Sequence, residues 1–392
     1  MTSEKITITC SVSSPLDRGT HLNFTIQRDA LLPHIQLASG VVERRQTMQV
    51  LSNLLCVLES DRLTFTGTDQ EVEISSGTSN VVNYVSGEVT IPARKLVDIC
   101  RGLPGKAEIA FELQGNRVKI SSGRFRSNLS TLPATSFPNV EMEEGDSEVT
   151  VDAKSLSSLL DKTSFAMAQQ DVRYFFNGML LELDDNKLRA VATNGQRLAT
   201  SEIALPTESV FKALKQIIVP RKGIVELARL LKEETEDGGA ALVFSDQHLQ
   251  VRVGQSRMTT KLVDAQYPEY QKVLSSAGDK IVVLDRLELK DSLSRIAILS
   301  NEVYRNVKLH LTAGAMLLNA NNPMQEEAEE SIAIEYNGAD MEIGFNVSYL
   351  IDVLSVLRSE KVTITLQDAK SAMLISSDED ALSKFVVSPM ML

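Results

Sequence analysis

The side chains that most often do chemistry in proteins are sparse in this sequence. The four histidines, His21, His34, His248 and His310, have no metal-ligand spacing, and no HExxH or CxxC motif occurs. No GxxxxGK[ST] or GxGxxG loop could cradle a phosphate, and no GxSxG motif could present a nucleophilic serine. Because these motifs are absent, the sequence predicts neither a metal nor a cofactor. Catalysis by residues that converge from distant positions in the chain stays open.

Charged residues are grouped, and the groups differ in sign. A basic tract from Arg117 to Arg126 contains no acid, whereas residues 323–357 hold eight acids and no Lys or Arg. Opposite charge at two places suits a heterologous contact between copies of the chain, which closes into a ring or continues as a filament. Two unrelated surface patches explain the same charges equally well.

A second basic set lies on or near predicted helices. It comprises Arg45, after the first helix, and the pairs Arg94-Lys95 and Arg221-Lys222, just before two later helix cores. Positive charge at these two helix starts opposes the helix dipole, so the pairs do not help the helices form. Phosphate contact is one explanation and solubility is the other. No aromatic residues alternate with them, so any nucleic acid would be bound through its backbone without sequence reading.

Composition limits the class of protein. The chain has 392 residues and a net charge of −12, and 43% of its residues are hydrophobic, which predicts two or three globular domains. No apolar run approaches the roughly 18 residues that span a bilayer. The N-terminal residues do not form a secretion signal, and three widely spaced cysteines suit a reducing compartment. We therefore expect a cytoplasmic protein with no membrane partner.

The chain repeats itself three times. The helical pattern apolar-apolar-acid-apolar occurs at Leu96–Ile99, Ile224–Leu227 and Leu350–Val353, at offsets of 128 and 126 residues. A strand that runs into a helix, a polar turn and an aromatic-proline pair recur in the same order at offsets between 125 and 133 residues. A shared period of this size indicates repeated domains.

Each repeat is predicted to contain two helices in the order β-α-β-β-β-α-β-β-β, because its strands alternate apolar and polar residues. Polar stretches without periodicity separate the repeats. The predicted divisions are an N-terminal extension of unknown role and three domains, 1–21, 22–146, 147–277 and 278–392.

At six places the sequence resembles the bacterial DNA polymerase III beta subunit, the sliding-clamp family, and the resemblance extends over about residues 22–392. The matching stretches are IPARKLVDICRGL at 91–103, QDVRYFFNGML at 170–180, VATNGQRL at 191–198, IVPRKG at 218–223, ANNPMQEEAEE at 320–330 and MEIGFNVSY at 341–349.

The resemblance implies an α+β fold of three clamp-type domains, each with two helices packed on antiparallel sheets. It also implies a head-to-tail dimer that closes into a ring with its helices lining the hole. The implied function is non-catalytic: the ring encircles duplex DNA and tethers the replicative polymerase, the clamp loader and other clamp-binding proteins, which gives processivity. A repeat-built nucleic-acid enzyme and a scaffold that binds only proteins are the alternatives.

The family pattern assigns residues to three surfaces. The implied DNA contacts are Arg45, Arg94, Gln170, Tyr174, Arg221 and Lys222. The implied pocket for short apolar partner peptides, between domains two and three, comprises Arg173, Phe176, Thr193, Gly195, Arg197, Leu198, Pro268, Lys272, Val273, Asn346, Tyr349, Val386, Val387, Pro389, Met390, Met391 and Leu392. The predicted dimer contact comprises Lys95, Arg117, Arg124, Arg126, Leu299, Glu326, Glu327, Glu329 and Glu330.

Two pocket positions depart from the family pattern. Gln196 and Met391 stand where histidine and arginine are frequent, so we expect the peptide preference to differ in detail. Val386 and Val387 are predicted to finish the core, and the methionines after them to line the pocket, because methionine adapts to several partners.

Overall fold

The computed structural model describes residues 21–43, 48–138, 147–184, 186–205, 214–233, 238–275 and 278–390. These residues form two compact units. The first contains the described residues up to 138 together with Gln255–Thr259, and the second contains those from 147 to 254 and from 260 to 390. The predicted extension lies outside the described residues except for His21, and the domain boundaries stay predictions.

The first unit contains the helices and strands of the first repeat. Its helices are α1 (Arg28–Ser39) and α2 (Ala93–Gly102), with 3-10 turns at Gln49–Ser52 and Ala134–Ser136. Its strands are β1 (Asn23–Gln27), β2 (Asn53–Glu59), β3 (Arg62–Thr68), β4 (Val72–Thr78), β5 (Val81–Val85), β6 (Gly87–Pro92), β7 (Glu108–Gln114), β8 (Arg117–Ser122) and β9 (Phe125–Ser130). They form one antiparallel sheet in the order β5-β1-β7-β8-β9 and a second run β4-β3-β2-β6.

Helix α2 shows why a helix forms and which face it buries. Leu96, Val97 and Cys100 are buried at helical spacing, while Arg94 and Lys95 are exposed. The buried face joins a core in which the rings of Phe24 and Phe111 stack 4.6 Å apart. Each fully buried side chain of this size stabilises the fold by roughly 1.5–3 kcal/mol.

The remaining helices follow along the chain. They are α3 (Ala153–Thr163), α4 (Arg221–Glu233), α5 (Gln271–Leu274), α6 (Arg286–Ala297) and α7 (Val347–Val356). Shorter 3-10 turns occupy Ser164–Ala166, Tyr174–Asn177 and Asp378–Asp380. Asp152 and Asp285 start α3 and α6, because each carboxylate accepts a bond from the backbone N–H three residues later, at 2.7 and 2.8 Å.

The remaining strands belong to the second and third repeats. They are β10 (Ser147–Asp152), β11 (Gly178–Asp184), β12 (Lys187–Thr193), β13 (Arg197–Ala204), β14 (Lys215–Pro220), β15 (Gly239–Phe244), β16 (His248–Val253), β17 (Ser256–Lys261), β18 (Lys280–Asp285), β19 (Asn306–Thr312), β20 (Ala315–Asn321), β21 (Glu327–Ala333), β22 (Met341–Asn346), β23 (Lys361–Leu366), β24 (Met373–Ser376) and β25 (Lys384–Val387).

One sheet joins the second and third repeats. Its order is β14-β11-β12-β13-β25-β24-β23-β18, so β25 of the third repeat pairs with β13 of the second. Arg197 lies opposite Val387 in this pairing, and the Ser201 and Ser383 hydroxyls bond at 2.8 Å. The second unit also contains the sheets β10-β15-β16 and β21-β20-β19-β22. The two repeats therefore share one framework.

The predicted number of strands between the two helices of a repeat was wrong. Three were expected, but five lie between α1 and α2, and four lie in each of the later repeats. The last strand before the second helix of each repeat, β6, β14 or β22, runs straight into α2, α4 or α7. No polar turn separates the strand from the helix at these places. The only sequence signal was therefore the change in hydrophobic spacing from that of a strand to that of a helix.

Candidate functional site

A cavity of about 170 Å³ lies in the second unit, where the second and third repeats meet. Eight predicted pocket residues line it: Phe176, Thr193, Gly195, Arg197, Leu198, Pro268, Val273 and Val386. Gln196, named from the sequence as a pocket position that departs from the family pattern, lines it too. Four further lining residues were missed from the sequence: Tyr267, Glu269, Tyr270 and Ser388. Each missed residue is a chain neighbour of a predicted one or lies two positions from one, so proximity in the chain was the available signal.

The turn between β12 and β13 forms one side of the cavity. The Thr193 hydroxyl donates to the Arg197 carbonyl at 2.6 Å, and Asn194 Oδ1 accepts from the backbone N–H groups of Gln196 and Arg197 at 2.9 Å. Gly195 has a φ of +87°, and a Cβ there would lie 3.1 Å from Arg173 Nη1. The backbone conformation therefore favours glycine, and another residue would also have to displace the end of the Arg173 side chain.

Arg197 is held from both repeats. Its Nη1 donates to Asp352 of α7 at 2.5 Å, and its Nη2 donates to the carbonyl of Phe165. Its guanidinium also lies over the ring of Tyr349, 4.5 Å from the centroid. The Tyr349 hydroxyl in turn donates to Gln196 Oε1 at 3.0 Å. These contacts fix Arg197 and Tyr349 beside the cavity.

The floor of the cavity is apolar. It belongs to a buried cluster made of Leu180, Val191, Leu198, Ile218, Tyr270 and Val386. Burial raises the pKa of the Tyr267 and Tyr270 hydroxyls further above neutral pH. A concave apolar floor with polar groups at its edge suits a short peptide with apolar side chains.

Several predicted pocket residues lie beside the cavity without lining it. Arg173 covers the ring of Phe176 at 4.6 Å, and the ammonium of Lys272 pairs with Glu269. Asn346 caps α7 by accepting from Ser348 N at 3.0 Å. Val387 is buried in β25, so it completes the sheet, as does Val386.

The chain end after β25 continues along the third repeat. Pro389 and Met390 are half-buried, and Met390 N donates to the carbonyl of Gly344 at 2.8 Å. Met391 and Leu392 lie outside the described residues.

Comparison with known proteins identifies the family. Models of the DNA polymerase III beta subunit match the chain with their N-terminal domain at residues 22–141, central domain at 150–269 and C-terminal domain at 271–391. The beta sliding clamp of Pseudomonas putida is 48% identical over 371 residues, which cover 95% of this chain and 100% of the relative. That of Pseudomonas aeruginosa is 49% identical over the same length and with the same coverage.

Solved structures agree. The Pseudomonas aeruginosa sliding clamp bound to griselimycin superposes with a TM-score of 0.91 at 48% identity, covering 95% of this chain and 100% of that one. This chain belongs to the DNA polymerase III beta subunit family. Members of this family are beta sliding clamps, non-catalytic subunits of the polymerase holoenzyme that bind DNA, the polymerase and other partners. The predictions of family, α+β fold with three clamp domains, function and non-catalytic role are confirmed.

The predicted DNA contacts of this clamp lie at helix starts and on one connecting segment. Arg94 is exposed in the first turn of α2, and Arg221 and Lys222 begin α4. Arg221 Nη1 donates to the carbonyl of Met167 at 3.3 Å, which places this helix start beside the chain leading to Gln170 and Tyr174. Gln170 and Tyr174 are both exposed. Arg45 lies outside the described residues.

The predicted dimer residues of the clamp lie mostly at two sheet edges. Strand β9, which carries Arg126, ends the five-stranded sheet, and β21, which carries Glu327 and Glu329, ends the four-stranded sheet. Arg124, Arg126, Glu327 and Glu329 are exposed, and so are Lys95 and Arg117. An exposed edge strand has unpaired backbone N–H and C=O groups that can pair with another chain.

Two acids of the dimer set already have partners within the chain. Arg295 donates to Glu330 at 2.5 and 2.9 Å, and Asn322 donates to Glu326 at 2.6 Å. Leu299 is half-buried, whereas its neighbour Ile298 is 77% exposed and was missed from the sequence. The exposed apolar group at this place is therefore Ile298.

The described residues also limit other classes of site. Among them, no three His, Cys, Asp or Glu side chains come together in a way that could hold a metal ion. No helix in this part of the chain is long and apolar enough to cross a membrane.

Proposed function

We propose that two copies of this chain close head-to-tail into a ring around duplex DNA in the cytoplasm. The ring tethers the replicative polymerase, the clamp loader and other clamp-binding proteins by short apolar peptides. The observation that carries this proposal is the apolar cavity between the second and third repeats, which the eight predicted residues line within a single chain. Family membership supports the same function.

Ring closure is proposed to join β9 of one copy to β21 of the other. Both are exposed edge strands, one with Arg124 and Arg126 nearby and the other with Glu327 and Glu329. Edge pairing supplies backbone hydrogen bonds, and opposite charge selects the partner edge over a copy of the same edge. Ile298 and Leu299 add apolar surface to this contact.

DNA is proposed to be contacted through its phosphates. Arg45, Arg94, Arg221 and Lys222 supply positive charge, and Gln170 and Tyr174 supply polar side chains. Phosphate contacts do not depend on sequence, so the ring can slide. A sliding ring need not grip tightly, because its topology keeps it on the duplex. A polymerase bound in the cavity then meets the template at a high effective concentration.

The decisive experiment loads the protein on closed circular DNA and then linearises the DNA. A sliding ring stays on the circle through gel filtration and leaves after a single cut. An enzyme bound at a site, or a protein that grips DNA, stays on both forms, and a scaffold that binds only proteins stays on neither. Equal retention on circular and linear DNA would contradict the proposal.

A further inference from the structure

A row of four polar side chains crosses four strands of the second repeat. Glu182 on β11 lies opposite Gln216 on β14 and Arg189 on β12, and Arg189 lies opposite Glu202 on β13. Gln216 Nε2 donates to Glu182 Oε1 at 2.6 Å, and Arg189 donates to Glu182 at 3.1 Å and to Glu202 at 2.6 Å. Because opposite residues share a face of the sheet, the row is continuous.

Tyr270 links this row to the cavity. Its ring lies in the apolar cluster and lines the cavity, while its hydroxyl accepts from Arg189 Nη1 at 3.0 Å and donates to Glu182 Oε2. Tyr270 is 4% exposed and Glu182 is 3% exposed. Both oxygens of the buried Glu182 carboxylate thus have donors, as a buried charge requires.

The chain segment that carries Tyr270 forms one wall of the cavity. Residues 262–270 have neither helix nor strand, so no sheet ladder holds them. Backbone bonds from Leu262 N to the Gln247 carbonyl, and from Val263 N to the Ile218 carbonyl, fasten the start of this segment. The Tyr270 hydroxyl fastens its end, just before α5 brings Val273 to the cavity.

We propose that Arg189 and Glu182 are positioning residues for the partner-peptide cavity. They act through the Tyr270 hydroxyl. They hold the wall formed by residues 267–273 at the distance from the rest of the cavity that a bound peptide requires. This inference rests on the proposed function, since it takes the occupant to be a short apolar peptide. Apolar residues often replace a buried ion pair without loss of stability, so the row is better explained by the geometry that it imposes.

The test compares Tyr270→Phe with a matched control. Tyr270→Phe keeps the ring in the cavity and removes only the hydroxyl that reaches the row. The control is Tyr336→Phe in the third repeat, whose hydroxyl donates to the Ala339 carbonyl at 2.8 Å and whose side chain is 4% exposed. Tyr336 does not line the cavity. Tyr270→Phe loses the two hydrogen bonds of its hydroxyl and Tyr336→Phe loses one, so both melting temperatures should fall, that of Tyr270→Phe by more.

Peptide affinity then distinguishes a positioning role for these residues from a general effect on the stability of the fold. Affinity is measured by fluorescence anisotropy with a labelled peptide that carries the clamp-binding segment of the cognate replicative polymerase. Tyr270→Phe should weaken binding about three- to tenfold, because the wall of the cavity loses its attachment to Arg189 and Glu182. Tyr336→Phe should leave it unchanged. Arg189→Met should weaken binding although it alters no cavity-lining atom, and it should add less than about twofold in the Tyr270→Phe background.

Each other result counts against the inference. Unchanged affinity in Tyr270→Phe, equal loss in Tyr336→Phe, or fully additive effects of Arg189→Met would overturn it. If Arg189→Met does not fold, the two tyrosine variants decide alone. Failure of the unaltered protein to bind the peptide would overturn the proposed use of the cavity, and the inference with it; no variant is needed to recognise that outcome.

Discussion

The partner cavity and the two predicted dimer edges are both interaction surfaces, but they are built in opposite ways. The cavity is assembled within one chain, and buried or paired groups such as Arg197, Asp352 and Tyr270 hold its walls. The edges β9 and β21 carry charges that are exposed, and their outer backbone groups have no strand beside them in the described sheets.

The difference teaches which interactions folding can complete. A cavity that must already have its shape when a peptide arrives needs walls that are fixed inside the chain. An edge that waits for a second copy must leave its hydrogen-bonding groups and charges available to solvent. We therefore expect substitutions at the edges to change assembly without changing the fold, and substitutions at the cavity to change peptide binding within an intact dimer.

The largest effect is expected at the edges. Replacing Arg124 and Arg126 by Glu places like charge against Glu327 and Glu329 of the second copy, so sedimentation velocity should show monomers at concentrations where the unaltered protein is a dimer. Arg252→Glu, at an exposed ion pair with Glu148, is the control and should remain dimeric. A dimer in the double variant would remove the assignment of these edges.

Charge exchange sharpens the same test. A chain with Glu327→Arg and Glu329→Arg should also be monomeric, because it places positive charge against positive charge. Mixed with the Arg124→Glu, Arg126→Glu chain, it restores opposite charge at both contacts of a head-to-tail dimer. Sedimentation of the mixture should then show dimers, and persistent monomers would contradict the head-to-tail arrangement.

The cavity should give the next largest effect. Arg197→Ala should lower affinity for a polymerase-derived peptide about tenfold or more, since it releases the contacts to Asp352 and Tyr349 beside the groove. Deletion of Met390–Leu392 should do the same while the dimer and its melting temperature are kept. Leu382→Ala, at an exposed apolar residue, is the control. Calorimetry measures the melting temperature and a peptide titration measures the affinity. If the deletion lowers the melting temperature by several degrees, Met390–Leu392 belong to the core.

A smaller and graded effect is expected for DNA. Replacing Arg45, Arg94, Arg221 and Lys222 by Ala should weaken DNA binding at low salt, whatever the sequence. Each lost phosphate contact should lower the slope of log K against log salt by roughly one. Titrations with two duplexes of different sequence measure this. A loss confined to one duplex would contradict backbone contact.

The smallest effect is expected for the stability that the ionised Glu330 side chain contributes, in contrast to its exposed neighbours. Hydrogen bonds from Arg295 and Ser292 lower the pKa of Glu330 to about 2 from an ordinary value of 4.5. A lowered pKa means that the ionised form stabilises the fold above about pH 4.5, and that this contribution is lost as the pH falls towards 2. Solvent screening limits it to about 0–1 kcal/mol.

The melting temperature of Glu330→Gln should therefore be lower than that of the unaltered protein at pH 7. The two melting temperatures should become equal near pH 2. Glu327→Gln, whose carboxylate is exposed on the same strand, is the control and should show a smaller difference throughout. Equal behaviour of the two variants would mean that the Arg295 contact does not stabilise the fold.

The sequence predicted the repeats, the helices and the general place of the cavity because each leaves a local signal. Helix α2 buries Leu96 and Val97 at helical spacing, and the Thr193–Leu198 turn carries its own hydrogen-bonding residues. Tyr270 and Ile298 were missed for physical reasons. The role of Tyr270 depends on Glu182 and Arg189, which are 88 and 81 positions away in the chain, and no period marks such a contact. Ile298 follows α6 and looks like any apolar residue at a helix end.

The pairing of β25 with β13 has a consequence for how the protein is made. Ser201 and Ser383 meet across this pairing although 182 positions separate them. A ribosome adds about 5–20 residues per second, so the second repeat waits roughly 10–40 s for the strand that completes its sheet. During that time the edge of β13 is open and the cavity lacks Val386 and Ser388. A nascent chain thus has an incomplete cavity until residues 384–388 have been made.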